Sequence, residues 1–104
     1  MGAHTVQWDR LAEIVDKPVT TLQEEAALAW VLAELAAVDR GIAEYVRRYG
    51  VQSPEELENA VVSNAVQAHP AWEDLIDWHN LLAYRSKVLS AISPHSTGET
   101  VSVR

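Results

Sequence analysis

Cysteine and phenylalanine are both missing from this chain of 104 residues. Without cysteine there are no disulfides, no thiolate nucleophile and no thiolate metal ligands. No run of 18 apolar residues occurs, so no segment reads as a membrane-spanning helix. The opening "MGAHTVQWDR" lacks the basic-then-apolar order of a secretory signal, and Val6 stands where a myristoylation signal wants serine or threonine. A cytoplasmic protein of a prokaryotic kind is the expectation. Basic residues are also short: eight Lys and Arg face fifteen Asp and Glu, for a net charge of −7. Nucleic-acid affinity comes largely from cations that displace counterions, so direct binding to nucleic acid is not expected. No Gly-x-Ser-x-Gly elbow and no glycine-rich phosphate loop is present. Nor is there a ribbon-helix-helix or helix-turn-helix signal with basic flanks.

Hydrophobic residues make up 48 % of the chain, enough for an ordered fold rather than a solvated acidic tail. The length allows one domain, which buries roughly 60–70 % of its unfolded surface. The pattern is helical throughout. "VQWDRLAEIVD" predicts a short helix over about 8–16, with Val6, Leu11, Ile14 and Val15 on one face and Pro18 closing it. Thr21 and Glu24 have capping-box spacing and Gly50 is a natural terminator, which frames a long helix over 21–49. Within it Leu28, Val31, Leu35, Val38, Ile42, Tyr45 and Tyr49 alternate three and four apart, a heptad seam. Leu22, Ala26, Ala29, Ala33 and Ala37 form a second stripe of small residues. Gly41 implies either a close neighbour or a slight bend, since glycine costs a helix about 1 kcal/mol against alanine. Ser53, Pro54 and Glu56 open a short helix over 54–66. A last helix over 71–92 starts after Pro70 and ends before Pro94. The tail 93–104 reads as poorly ordered.

The fold class predicted is all-α: an antiparallel hairpin of two long helices joined by a short one, with a short N-terminal helix leading in. A hairpin buries one stripe of each helix, so two hairpins closing a four-helix bundle is the expected assembly. The homodimer and core seam is the set from Leu28 to Tyr49 given above. Coverage of that seam by the short helices within one chain is the alternative.

Residues 49–84 pose the functional question. They hold Glu55, Glu56, Glu58, Glu73, Asp74 and Asp77 with no Lys or Arg. Glu73 and Asp77, four apart on one helical face with His69 a turn before, have oxygen-ligand spacing for a divalent cation. Acidic residues in a first turn are more commonly complements to the helix dipole, so no metal and no cofactor is assigned. The carboxylate pattern of the all-α nucleotide pyrophosphohydrolases fails here, since Glu24 and Glu25 are followed only by a distant Glu34. His69 and His79, ten apart, are about 15 Å from each other along a helix and cannot make the i, i+4 zinc pair. Trp72 and Trp78, six apart, point different ways around the helix, so one is free to sit in the core while the other meets a groove. Tryptophan is a favoured anchor in protein interfaces.

The segments "YVRRYG", "VQSPEELENAV" and "HPAWEDLIDWHNLLAY" together resemble a group of small acidic helical prokaryotic proteins of the antitoxin-like type, encoded beside toxin-like partners. The resemblance spans roughly residues 22–92 and is carried by Tyr49, Gly50, Ser53, Glu55, Glu56, Asp74, Asp77, Trp78 and Leu82. It implies a non-enzymatic protein-binding role, the neutralisation of a basic toxin. The partner-binding set expected is Glu55, Glu56, Glu58, Trp72, Glu73, Asp74, Asp77 and Trp78, because clustered carboxylates speed association with a basic surface. The alternatives are a self-assembling helical module and, behind it, a carboxylate-metal hydrolase.

Overall fold

The computed structural model describes residues 4–92, and the tail expected to be poorly ordered lies outside them. The architecture is the all-α hairpin. Four helices follow in order: α1 (Trp8–Val15), α2 (Val19–Tyr49), α3 (Pro54–Val62) and α4 (Ala68–Ser90). Among the described residues there is no strand.

α1 ends at Asp16, which adopts left-handed geometry (φ 58°, ψ 53°) and turns the chain into Pro18. α2 begins at Val19, two residues before the expected start, and has no side-chain cap. The Pro18 carbonyl already accepts the Leu22 amide at 3.0 Å, so Thr21 lies inside the first turn and the Thr21–Glu24 capping box is not made. The apolar face expected on α1 is also corrected. Ala12 is buried and Trp8 and Leu11 are half-buried, but Ile14 is 66 % and Val15 42 % exposed. An eight-residue helix that packs chiefly on α2 has only one side covered.

α2 runs for 31 residues, about 46 Å at 1.5 Å per residue. It stops at Gly50 (φ 68°), whose amide returns to the Val46 carbonyl at 2.8 Å. Glycine takes that conformation at no steric cost. Ser53 caps α3 as the sequence indicates: its Oγ accepts the Glu56 amide at 3.2 Å, and Glu56 Oε1 accepts the Gln52 amide at 2.8 Å. α3 ends at Val62 and does not reach 66. Asn64 turns left-handed (φ 66°), and the amides of Ala65 and Val66 both fold back onto the Ala60 carbonyl. That reversal brings Val66 against the core. At the start of α4, His69 is non-helical (φ −111°, ψ 126°) and its bond to Pro70 is cis.

α4 returns antiparallel beside α2. The register is fixed by Asp74 against Arg48 and Tyr49, Asp77 against Tyr45, and Leu81 against Gly41. Further along, Tyr84 meets Glu34 and Arg85 meets Asp39. A Cβ on Gly41 would lie 3.2 Å from Leu81 Cδ1, so a side chain, not a bend, explains the glycine. Of the heptad seam, Val31 and Val38 are buried and Leu35, Ile42, Tyr45 and Tyr49 are half-buried. Leu28 departs from it, 46 % exposed, because little of α4 reaches that far along α2.

The main core forms at the bend. Leu57 and Val61 of α3 pack with Ala71, Leu75 and Trp78 of α4, and Ile42, Tyr45, Val46 and Tyr49 of α2 close around them. Trp78 is 1 % exposed, and sequestering its roughly 200 Å² contributes on the order of 5 kcal/mol. The α3 helix therefore roofs the α2–α4 groove at this end.

Candidate protein interface

The six carboxylates of the acidic stretch fall into two groups. The inward group ties α4 to α2. Asp74 has a side chain only 15 % exposed, and it accepts Arg48 Nη1 at 2.8 Å together with the Tyr49 hydroxyl. Asp77 Oδ2 accepts the Tyr45 hydroxyl at 2.6 Å. The Tyr45 ring stacks on Trp78 with centroids 6.0 Å apart, and the Arg48 guanidinium lies over the same Tyr45 ring, 5.3 Å from its centroid. These contacts shift the titration of the donors. The hydrogen bond to Asp77 pushes the Tyr45 phenol up to about 12. Burial, followed by the bond to Asp74, raises the Tyr49 phenol. Asp74 holds the Arg48 guanidinium above its ordinary value.

The outward group is Glu55, Glu58 and Glu73. Leu57 and Val61 face the core, so helical spacing turns Glu55 and Val62 to the far side of α3 and leaves Glu58 on its flank. All three are exposed, and among the described residues no hydrogen bond or ion pair engages Glu55 or Glu58. Glu73 has a side chain 62 % exposed beside His69 Nδ1 at 3.1 Å. Glu56 is taken up by the α3 cap. Trp72 is 40 % exposed, and Ile76, one turn on, is 62 % exposed.

The partner-binding set expected from sequence is therefore divided. Trp78 is corrected from anchor to core, since almost none of its surface reaches solvent. Asp74 and Asp77 serve the helix pairing. Glu55, Glu58, Trp72 and Glu73 remain outward. Sequence reasoning missed the role of Tyr45, Arg48 and Tyr49 as partners of these acids. The signal was there: donors at i, i+3 and i+4 near the end of one helix, and acceptors three apart near the start of the antiparallel one. Among the described residues no group of three or more His, Asp or Glu side chains is arranged to hold a metal ion, and no helix is long and apolar enough to cross a membrane.

Comparison with known families gives one assignment. A family model described as "Uncharacterized protein MJ0235 family" matches residues 1–96. The chain belongs to the MJ0235 family. No curated protein and no solved structure matches it. The MJ0235 family assignment brings no activity and no partner with it, so the chemistry rests on the exposed side chains just described: Trp72 and Glu73 of α4, and Glu55 and Glu58 of α3.

Proposed function

We propose that this chain is a non-enzymatic protein-binding module, in its sharper form an antitoxin-like protein that covers a basic partner. The contact surface is the outer side of α3 with the first turns of α4. The supporting observation is that Trp72, Glu55, Glu58 and Glu73 all face solvent while the other acids are occupied within the fold. A half-exposed indole offers a large, rigid contact with little side-chain entropy to lose. The surrounding carboxylates steer a basic surface toward it, which is the charge a ribonuclease toxin carries. Asp74 and Asp77 contribute by holding α4 in place beneath that surface.

Co-expression with the product of the adjacent open reading frame tests the sharper form. A stable complex with a basic product is expected. Trp72→Ala should speed its dissociation, and Glu55→Gln with Glu58→Gln should slow association and flatten its salt dependence. A neighbour that is not basic, or that forms no complex, defeats the antitoxin reading.

A further inference from the structure

The groove between α2 and α4 is roofed by α3 at one end only. Two leucine rows run along it at seven-residue spacing, which keeps side chains on nearly the same face of a helix. On α4 the row is Leu75, Leu82 and Leu89. Leu75, beneath α3, is 5 % exposed, whereas Leu82 and Leu89 are each 39 % exposed. On α2 the row is Ile42, Leu35 and Leu28. Ile42 packs against the core under α3, Leu35 is half-buried, and Leu28 is 46 % exposed with Leu32 beside it at 53 %. The same apolar walls therefore continue past the end of α3 with nothing over them among the described residues.

We propose that a second copy of the chain closes this groove, so that two hairpins pack Leu28, Leu32, Leu35, Leu82 and Leu89 against the same side chains of the partner copy. Two observations select a second copy. The groove is nearly free of available charge. Residues 26–38 contain one ionisable side chain, Glu34, and it accepts the Tyr84 hydroxyl at 2.5 Å, while Asp39 nearby holds Arg85 at 2.8 Å. A basic partner finds no open carboxylate there, and two copies with a net charge of −7 each do not repel across it. The chain's own residues 93–104 are largely polar and supply no leucine, aromatic or methionine side chain to fill it. Homodimer interfaces are the more apolar class, which is the character of this surface.

Sedimentation equilibrium on the purified full chain, with no other protein present, tests the interface separately from the acidic surface. The wild type should sediment at twice the 11.5 kDa chain mass. Leu28→Glu with Leu82→Glu should weaken association at least ~100-fold, because each subunit would bury two unpaired carboxylates. Helical circular dichroism and the fluorescence of buried Trp78 should be retained. Should that variant fail to fold, Leu28→Ala with Leu82→Ala must still raise the dimer dissociation constant ~10-fold or more. A monomeric wild type at about 100 µM overturns the proposal, since a stable homodimer with a micromolar or tighter dissociation constant is associated at that concentration. So does a dimer indifferent to both leucine pairs.

Discussion

The Tyr45 hydroxyl donates to Asp77 Oδ2 at 2.6 Å, joining residues 32 positions apart. One bond thereby converts an acid that reads as a docking residue into part of the fold. Asp77→Ala should lower stability by about 1 kcal/mol, below the usual range for a bond to a charged group because the pair borders solvent. A urea titration reads the loss. In a double-mutant cycle Asp77→Ala and Tyr45→Phe should be non-additive, since each removes the same bond. Additive losses would show that the two side chains act separately.

Trp72 and Trp78 occupy one helix six residues apart and have opposite fates, 40 % and 1 % exposed. Trp78→Ala should cost about 3–5 kcal/mol by opening a cavity among Leu57, Val61 and Leu75. In a domain this small that approaches the whole stability. Trp72→Ala should cost less, about 1–2 kcal/mol, because only part of its surface is covered. Chemical denaturation followed by far-ultraviolet circular dichroism separates them, and equal losses would mean that Trp72 is not a surface residue.

Much of this division was within reach of the sequence, and the reasons are local. Ser53, Pro54, Glu56 and Gly50 mark helix ends through bonds to their nearest neighbours, so those boundaries stand as written. Thr21 misled because a threonine with a glutamate three residues on looks like a cap whether or not the helix has already begun. At this site Pro18, with φ −61° and extended ψ, launches the helix first. The spacing of Tyr45, Arg48 and Tyr49 hinted at partners for Asp74 and Asp77, but separating inner from outer acids depends on the register of α4 against α2. Register follows from tertiary packing: Leu81 against Gly41 sets it, and Asp74 and Asp77 then meet Arg48, Tyr49 and Tyr45. The exposed Leu28 has the same origin. A heptad seam names the residues able to pack but not where the partner helix stops.

Gly41 gives that register a direct test. Alanine there gains about 1 kcal/mol of helix propensity. Its methyl would meet Leu81 Cδ1 at 3.2 Å, a close contact with the mobile end of a half-buried side chain. The two effects should nearly cancel, leaving Gly41→Ala within about 0.5 kcal/mol of wild type. Gly41→Leu has no such outlet and should cost about 1–3 kcal/mol by forcing α2 and α4 apart. Thermal melts of the pair decide it: tolerance of leucine would place α4 away from Gly41.

Tyr45 also makes stability depend on alkaline pH. Its phenol titrates at about 12 in the folded chain against an ordinary 10.0, chiefly because the proton is shared with Asp77. Between those values the native state binds the proton and the unfolded state has lost it, so stability falls as pH rises. The contribution is complete below the ordinary value, declines from 10.0 upward and is gone above about 12. Tyr49 and Tyr84 are raised as well, by burial and by the bond to Glu34 respectively, and add a loss of the same sign. Tyr45→Phe removes one of the three. Urea midpoints measured at steps from about pH 9 to about pH 12 should start lower for this variant, fall less steeply, and meet the wild-type curve at the alkaline end. Parallel curves would show that the Tyr45 proton is indifferent to folding, and with it the bond that holds Asp77 to the body of the hairpin.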